Sequence, residues 1–321
     1  MQAIRVHRFG GPEVLTLEDV PDPSPQPGEV VIGVRAAGVN PYDTYMRAGS
    51  YGARNPALPY TPGSDAAGVV EAVGAGVADL GVGDRVFTSG TVTGAYAAKA
   101  RATREQVHRL PDNVTFAQGA GIYVPYATAY RSLFQLARAR PGERVLVHGA
   151  SGGVGTAALQ FARAVGLRVI ATAGSEEGLD LVRREGADVV VNHRTPGYHQ
   201  QILDSTQGEG VDVVLEMLAN VNLGQDLKLL ATRGRVVIVG SRGDATITPR
   251  DLMTREASVM GVLLWGVSRP EATEIGAALG AGLRSGALRP IVGAELPLRA
   301  APEAHERIIG STALGKIVLV P

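Results

Sequence analysis

A short apolar strand that runs into a glycine-rich turn and then into a helix, at about residues 144–165, constrains the fold of this chain more than any other feature. Residues 145–155 read VLVHGASGGVG, and apolar residues at helical spacing continue to Val165. A second β-branched strand follows at 168–172. A strand, a glycine turn and a helix inside one βαβ unit form the context that a dinucleotide-binding fingerprint requires. The segment therefore predicts a dinucleotide site.

The turn itself explains why a nucleotide would bind there. The exposed backbone amides of the turn and the dipole of the following helix together favour a pyrophosphate. We expect Gly152 to let the backbone approach the phosphates, and Gly155 to let the helix pack closely on the sheet. The pattern departs from G-x-G-x-x-G because Ala150 stands at its first position. The competing interpretation is a glycine-rich strand–helix turn that binds nothing.

From about residue 125 onwards, strands alternate with helices. Predicted strands lie at 144–148, 168–172, 188–192, 211–215, 235–239 and 258–264, with helices at 155–165 and 177–185. This alternation is typical of an α/β protein with a doubly wound parallel sheet of the Rossmann type. Right-handed crossovers would give the strand order 3-2-1-4-5-6.

The first third of the chain predicts a small barrel-like β domain. Its β-branched runs lie at 3–7, 14–20, 29–37, 67–73 and 85–87, and glycine turns and a proline-rich loop at 21–28 separate them. The last segment predicts a helix at 271–285, a strand at 294–297, a helix at 301–309 and a strand at 315–320, and we expect it to return to the first domain. The predicted domains are therefore 1–124, 125–265 and 266–321.

Composition excludes several classes of function. The 321 residues include no cysteine, which rules out disulfides, thiol nucleophiles, iron–sulfur clusters and thiolate zinc sites. The six histidines show no paired spacing except His193 and His199, so we predict no metal. A formal net charge of zero argues against nucleic acid as the main partner. Without an evident signal peptide or membrane span, the expected location is the cytoplasm.

The second strand of the nucleotide domain indicates which nicotinamide cofactor is used. An NAD site needs a carboxylate at the end of that strand, where it accepts from the ribose 2′-hydroxyl. Here Ala173 or Gly174 occupies the position, and neither would repel a 2′-phosphate. Glu176 and Glu177 follow closely and are the main evidence against NADPH, and no Lys or Arg stands at the expected position to pair with the phosphate. The pattern favours NADPH over NADH.

Several blocks of sequence carry a family resemblance. They are GVNPYDTY at 38–45, YTPGSD at 60–65, GDRVFT at 83–88, VHGASGGVG at 147–155, EMLANVNL at 216–223 and VGSRG at 239–243. In order and content they resemble the zeta-crystallin group, the zinc-free NADPH:quinone oxidoreductases of the medium-chain dehydrogenase/reductase superfamily. The resemblance runs from about residue 4 to the C-terminus, and the block at 216–223 is the most specific to this group.

The resemblance implies a GroES-like β-barrel catalytic domain that is split by the inserted Rossmann domain, with the cofactor in the cleft between them. It implies NADPH-dependent reduction of a quinone, with Asn40 and Tyr45 near the nicotinamide. The cofactor-binding residues implied in the nucleotide domain are Ser151, Gly152, Gly153, Val154, Gly174, Ser175, His193, Asn222, Val239, Gly240, Ser241, Arg242, Val262, Leu263 and Leu264.

The absence of a metal site limits which substrates are easy to reduce. A simple carbonyl needs strong stabilisation of the developing alkoxide, whereas a quinone spreads charge over a conjugated ring and needs less help. Tyr51 is the candidate proton donor, because the related enoyl reductases carry their catalytic tyrosine in this region. Its alternative role is a loop tyrosine that packs over the site. For Asn40 the alternative is to cap a turn, as Asn before Pro often does.

Two other functions and an oligomeric state remain open at this point. On the same scaffold the chain could reduce enones or enoyl thioesters, with Tyr51 as the catalytic acid. Relatives in the zeta-crystallin group include proteins that bind AU-rich RNA, although the neutral charge argues against that role. The apolar strand at 259–264 lies at the predicted sheet edge and invites pairing with a second copy, which favours a homodimer or homotetramer.

Overall fold

The computed structural model describes residues 1–310 and 314–321, and this described part divides into two compact units. Unit 1 comprises Met1–Val124 and Arg289–Pro321, and unit 2 comprises Pro125–Leu288. The sequence predicts boundaries at 124/125 and 265/266. The first coincides with the observed division, whereas unit 2 continues to Leu288. Its last helix is tied to the beginning of the unit by the ion pair between Arg131 and Glu271, at 2.8 Å.

The strands are, in chain order, β1 (Gln2–Arg5), β2 (Thr16–Asp19), β3 (Glu29–Val39), β4 (Asp65–Val73), β5 (Arg85–Thr88), β6 (Lys99–Thr103), β7 (Val107–Arg109), β8 (Arg144–Val147), β9 (Arg168–Ala173), β10 (Val189–Asn192), β11 (Val211–Glu216), β12 (Leu230–Ile238), β13 (Ser258–Gly261), β14 (Val292–Pro297) and β15 (Lys316–Val320).

The helices are α1 (Pro41–Ala48), α2 (Phe116–Gly119), α3 (Thr128–Tyr130), α4 (Gly153–Ala164), α5 (Glu176–Arg184), α6 (Tyr198–Ser205), α7 (Ala219–Leu229), α8 (Pro249–Met253), α9 (Arg269–Ser285) and α10 (Ala301–Ile309). Short 3₁₀ turns lie at Pro12–Val14, Gly52–Arg54, Arg104–Gln106, Leu264–Gly266 and Leu298–Ala300, and π-helical turns at Tyr123–Ala127 and Arg131–Leu136. None of these described helices is long and apolar enough to cross a membrane.

Unit 2 is built on a parallel sheet. Within its described residues the strand order is β10-β9-β8-β11-β12-β13, which is the predicted order 3-2-1-4-5-6. Strand order therefore reverses between β8 and β11, and the carboxyl ends of these neighbours open the crevice where such sheets bind ligands. The buried face packs Leu146, Val214 and Val236 against Ile202 and Leu227 of the covering helices.

The sixth strand of this sheet is shorter than the sequence predicts. β13 pairs with β12 and ends at Gly261, and Leu264 begins a 3₁₀ turn. Val262 still donates its backbone N–H to the carbonyl of Ile238, at 3.0 Å. The apolar run 262–264 resembles a strand in composition, but the chain leaves the sheet there, so the predicted strand was three residues too long.

Unit 1 is dominated by an antiparallel sheet. Among its described residues the order is β14-β15-β3-β4-β5-β7, with β6 also paired to β3 and only the β14–β15 pair parallel. β3 is the central strand, because it contacts β15, β4 and β6. The sheet buries one cluster around Tyr96 and Ile317 and another around Ile32 and Val86.

Helix α1, which the sequence analysis did not predict, begins where β3 ends. Asn40 is its N-cap residue and Pro41 its first residue. Proline is favoured at this position because the backbone N–H that it lacks would have no acceptor within the helix. The helix ends at Gly49, whose φ of 69° lies in the left-handed region that glycine tolerates. The sequence did carry a signal for this helix: Asn40-Pro41 is typical of a helix start, and Gly49, eight residues after the proline, is typical of a helix end. The turn between β3 and α1 carries the polar centre of unit 1.

Candidate active site

The glycine turn of unit 2 has the backbone form that an anion site needs. β8 ends at Val147, Gly149 adopts a φ of 55°, and α4 begins at Gly153 with Gly152 as its N-cap. A Cβ added at Gly155 would lie 2.4 Å from the Cα of Ala150, so only glycine allows this close approach of helix and strand. Ser151, Gly152, Gly153 and Val154 thus lie together at the helix N-terminus.

The end of β9 is surrounded by cationic and polar side chains. A Cβ added at Gly174 would lie 2.5 Å from Nε2 of His193 and 3.0 Å from Nε of Arg194. Ser175 caps α5, and its hydroxyl accepts from the N–H of Gly178 at 3.1 Å. Burial lowers the pKa of His193, so its ring is neutral near pH 7. Among the described residues the guanidinium of Arg194 forms no ion pair, and sequence analysis had not selected it.

The third group of predicted cofactor residues surrounds the end of β11. The backbone N–H groups of Val239 and Gly240 donate to the carbonyl of Glu216, at 2.8 and 3.3 Å. The side-chain amide of Asn222 donates to Oε1 of the same glutamate, at 3.1 Å. The backbone N–H of Arg242 donates to Oδ1 of Asn220, at 2.9 Å. These contacts bring segments 217–222 and 239–242 together at the crevice end of the sheet.

Two further predicted residues lie beside this group. The hydroxyl of Ser241 donates to the carbonyl of Gly243, at 2.9 Å, which closes the loop after β12. Leu264 is 7% exposed and packs into unit 2, whereas Leu263 is half-buried. The structure therefore collects the predicted residues of unit 2 at the carboxyl ends of neighbouring parallel strands, where position in the sequence alone could not align them.

A buried cluster that sequence analysis missed lies beneath this crevice. It consists of His148, Glu216 and Asp226, and one ligand atom from each lies within 4.8 Å of the others. The ring of His148 contacts Oδ1 of Asp226 at 3.0 Å. Two of the three residues lie inside the VHGASGGVG and EMLANVNL blocks, but nothing in their spacing showed that they meet.

In unit 1, Asn40 is held in a buried polar network. It is 3% exposed, its side-chain amide donates to Oδ2 of Asp65 at 3.0 Å, and its Oδ1 accepts from Nζ of Lys316 at 2.5 Å. Its backbone N–H donates to Oδ2 of Asp43, at 2.9 Å. Asn40 therefore stands at the N-cap position of α1, whereas its alternative role was to cap a turn. One N–H of its amide has no protein acceptor in the described part of the chain.

Asp43 is the end of a chain of hydrogen bonds in unit 1. Arg47 contacts Nδ1 of His305 at 3.2 Å, and because a guanidinium only donates, the ring proton of His305 must be on Nε2. Nε2 then donates to the hydroxyl of Tyr96 at 3.2 Å, and that hydroxyl donates to Asp43 at 3.2 Å. Burial lowers the pKa of His305 to about 3 and raises that of Asp43 to about 7.

A cavity of about 420 Å³ opens in unit 1 beside α1. Its lining residues include Tyr42, Tyr60, Met46 and several prolines. Tyr51 meets the ring of Tyr42 edge-on, with ring centroids 5.1 Å apart. This volume and lining fall within the range of small-molecule sites. Tyr42 and Tyr60, which sequence analysis had not selected as site residues, therefore contribute more to the cavity than the predicted positions.

Tyr45 and Tyr51, the two tyrosines that were predicted to take part in the reaction, are not among the residues that line this cavity. Tyr45 is a half-buried residue on α1, and its backbone carbonyl accepts from Ser50. The backbone N–H of Tyr51 is held by Oδ1 of Asn55, at 3.0 Å. The structure thus brings Tyr51 against Tyr42, while the side chain of Asn40 is directed into the polar network with Asp65 and Lys316.

Comparison with known proteins gives two matching family models. The alcohol dehydrogenase GroES-like domain matches residues 26–137, and the zinc-binding dehydrogenase family matches residues 153–278. The description of the second family refers to zinc, although this chain has no cysteine. Together the two models cover a barrel-like domain followed by a nucleotide domain, in the order that the fold shows.

Individual relatives match the chain over its whole length. It is 52% identical to the quinone oxidoreductase of Homo sapiens, an alignment that covers 100% of this chain and 98% of the relative. It is 33% identical to the 2-haloacrylate reductase of a Burkholderia species, covering 100% and 99%. Among solved structures, the quinone oxidoreductase of Escherichia coli complexed with NADPH has a TM-score of 0.92 and 31% identity, covering 100% of both chains.

Proposed function

Because this chain belongs to the quinone oxidoreductase family of the medium-chain dehydrogenase/reductase superfamily, we propose that it reduces quinones with NADPH and without zinc. The chain is an oxidoreductase. The choice of substrate is supported by the cavity in unit 1, whose lining includes the aromatic residues Tyr42 and Tyr60 and the apolar residue Met46. Such a lining suits a planar conjugated ring.

The residues of unit 2 fit a nicotinamide dinucleotide. The amides at the start of α4 would hold the pyrophosphate, Gly174 and Ser175 would lie at the adenosine end, and Asn222 with segment 239–242 would line the remainder. When bound, NADPH supplies the hydride. A Cβ added at Gly174 would lie 2.5 Å from Nε2 of His193, so a glycine there lets His193 and Arg194 approach the end of β9.

The side chains of unit 1 would bind and orient the substrate and supply its proton. The ring of Tyr42 would stack against or edge onto the quinone, and the hydroxyl of Tyr51 beside it would donate the proton that the reduced ring needs. Asn40 keeps one amide N–H for a carbonyl oxygen, while Asp65 and Lys316 hold the amide in orientation. A quinone needs no stronger electrophile, because its ring delocalises the developing charge.

Arg194 supports the choice of NADPH over NADH. Its guanidinium lies beside Gly174, where a ribose 2′-phosphate would be expected, and no carboxylate among the described residues neutralises it. Glu176 and Glu177 are in the first turn of α5 and exposed, so they are helical and not bent back over the end of β9. The guanidinium of Arg194 thus provides a positive charge beside Gly174, although the sequence analysis had identified no Lys or Arg at the end of this strand.

The substrate assignment is tested by steady-state kinetics. NADPH is supplied with 9,10-phenanthrenequinone, a 2-alkenal or crotonyl-CoA as acceptor. We expect kcat/KM to be highest for the quinone by at least about tenfold, since one tenfold step corresponds to about 1.4 kcal/mol of transition-state stabilisation. Turnover of the thioester alone would contradict the proposal.

The cofactor assignment is tested with Arg194→Ala. Loss of a charge-assisted hydrogen bond should raise the Kd of NADPH about tenfold to a hundredfold and leave that of NADH nearly unchanged. Arg184→Ala, which removes an exposed arginine from the far end of α5, is the matched control. Equal effects of Arg194→Ala on both cofactors would show that the guanidinium does not bind the phosphate.

A reductase acting on an activated alkene is the second candidate function. The 33% identity to a 2-haloacrylate reductase favours it, because that relative covers the whole chain. The 2-alkenal in the assay above distinguishes the two: a kcat/KM above that of the quinone would favour the second candidate. The same Tyr51 hydroxyl would then protonate a carbon instead of a carbonyl oxygen.

We also propose that the protein forms a homodimer or homotetramer through β13. This strand lies at one edge of the parallel sheet, and Val259 and Met260 on it are half-buried and apolar. An unpaired edge strand favours pairing with a second copy. Light scattering coupled to size-exclusion chromatography would measure the mass, and a monomer at micromolar concentration would refute this assembly.

A further inference from the structure

A buried polar cluster lies at the point of unit 2 where the strand order reverses. His148 directly follows β8, Glu216 is the last residue of the neighbouring β11, and Asp226 comes from α7. The side chains are 4%, 0% and 0% exposed, respectively. Ionisable groups buried so completely must be neutralised or paired, because an isolated charge is costly away from water.

On one side the cluster is joined to the glycine turn. The backbone N–H of Gly149 donates to Oγ1 of Thr172, at 3.2 Å. The threonine hydroxyl can then donate to Nδ1 of His148, at 3.3 Å, and Nε2–H of the ring donates to Oδ1 of Asp226, at 3.0 Å. Each donor has one acceptor, and the imidazole is neutral. The chain of hydrogen bonds therefore reaches Asp226 with a consistent direction.

On the other side the cluster is joined to segment 217–222. Oε1 of Glu216 accepts from the backbone N–H of Leu218 and from the amide of Asn222. The two carboxyls also approach each other, with an oxygen of each within 4.8 Å of the other. Oε2 of Glu216 and Oδ2 of Asp226 have no donor among the described residues. Two carboxylate oxygens can only accept, so their contact becomes a hydrogen bond only when one carries a proton.

We propose that Glu216 and Asp226 share one proton, and that this proton completes a hydrogen-bond chain which positions the glycine turn and segment 217–222 for the cofactor. The two residues and His148 are positioning residues, since they act through Gly149 and Asn222. Coupling to the cofactor rests on the proposed function, whereas the shared proton itself does not.

Among the described residues no lysine or arginine forms an ion pair with Glu216 or Asp226, whose recorded partner is the ring of His148. Burial lowers the pKa of His148, and also of His193 and His199, which lie near it. Tyr198 of α6 packs edge-on against the ring of His148 at 6.5 Å, and burial raises its pKa to about 12. The remaining charged groups nearby are Arg194, which is close to His193, and Lys228, which is close to His199. Helix α8 carries Arg250 and Asp251. At neutral pH the acidic pair therefore needs a proton.

The direction of the pH effect follows from burial. Burial raises the pKa of both carboxyls to about 7, above the ordinary values near 4. The folded chain therefore keeps a proton that the unfolded chain has lost, and the folding equilibrium constant falls by up to about tenfold per pH unit as pH rises towards 7. Above that pH no further loss follows from this pair.

Isosteric variants test the proton directly. In Asp226→Asn the amide oxygen still accepts from His148, and the amide N–H donates to Glu216 in place of the shared proton. Glu216→Gln does the same from the other side. Asp204→Asn, at an exposed carboxylate on α6, is the matched control. Urea unfolding between pH 5.5 and 8.5 and the infrared C=O band of a protonated carboxyl at pH 6.5 are measured for all four proteins.

We expect the wild type and the control to lose stability as pH rises from 5.5 to about 7, to level off above it, and to show the protonated-carboxyl band. Asp226→Asn should lose the share of the band and of the decline that the Glu216–Asp226 pair contributes, whereas the share from Asp43, whose pKa burial also raises to about 7, should remain. NADPH binding supplies the third readout: its Kd should rise between pH 6.5 and 8.5 by about fivefold more in the wild type than in Asp226→Asn, a coupling at the low end of the usual range.

Three results would overturn the proposal. Identical pH profiles and an unchanged infrared band in Asp226→Asn would mean that no proton is shared. Stabilisation of the wild type, but not of Asp226→Asn, by Zn²⁺ or Mn²⁺ would mean that a cation neutralises the pair. A shared proton with no effect on the Kd of NADPH would remove the positioning role. Failure of quinone reduction alone would leave the stability and infrared results intact, so the two proposals fail separately.

Discussion

The ammonium of Lys316 lies 2.5 Å from Oδ1 of Asn40, so the last strand of unit 1 is joined to the turn that begins α1. The same nitrogen forms an ion pair with Asp65, at 2.8 Å, and both side chains of that pair are at most 4% exposed. Lys316 therefore forms a buried ion pair with Asp65 beside the predicted catalytic amide.

Removal of this ammonium should destabilise unit 1 strongly. Lys316→Met leaves the carboxylate of Asp65 buried without its partner, which costs about 3–5 kcal/mol. Lys99→Met is the control, because Lys99 also contacts two carboxylates but is 32% exposed, and exposed pairs contribute less than about 1 kcal/mol. Urea unfolding at pH 7 measures both, and similar losses would contradict the argument.

Two helical glycines should respond in opposite ways to alanine. Gly155→Ala places a methyl 2.4 Å from the backbone of Ala150 and should cost about 2–3 kcal/mol by overpacking. Gly276 on α9 has nothing within 4 Å of an added Cβ, so Gly276→Ala should stabilise by about 0.5–1 kcal/mol. Thermal unfolding separates them, and a neutral Gly155→Ala would disprove the close approach.

Asp43 should make stability depend on pH between about 4 and 7. Burial raises its pKa to about 7, so its contribution is complete below the ordinary value and is lost as pH rises to about 7. The slope is at most about 1.4 kcal/mol per pH unit. Asp43→Asn, which still accepts from Tyr96 and Asn40, should reduce the slope of this part of the curve, and the remaining slope comes from Glu216 and Asp226. An unchanged slope in urea unfolding would mean that another group titrates there.

Tyr51→Phe separates the role of its hydroxyl from that of its ring. Phenylalanine keeps the edge-on contact with Tyr42 but cannot donate a proton. We expect kcat to fall less than about tenfold with a quinone, whose reduced form is protonated on oxygen. With a 2-alkenal, whose reduction requires protonation of a carbon, we expect a fall of about a hundredfold. Stopped-flow measurement of hydride transfer checks this, and no loss with either acceptor would limit Tyr51 to packing.

Local patterns predicted the nucleotide half of the protein well. Val145 to Gly155 revealed the strand, turn and helix because each has its own periodicity and because glycine is needed where backbones approach. Chain-order rules then predicted the strand order, which the structure confirms. Boundaries were less reliable. The apolar residues at 262–264 satisfied a strand pattern, but the chain leaves the sheet after Gly261.

The sequence by itself determined the fold class, the glycine turn and the exclusion of thiolate zinc sites, since periodicity and the lack of cysteine are properties of neighbouring residues or of composition. Only the tertiary structure decided that Arg194 lies beside Gly174, that Lys316 meets Asn40 across 276 positions, and that His148 meets Asp226. Contacts between residues distant in sequence depend on which strands pair and which faces they bury. No local pattern specifies those pairings side chain by side chain.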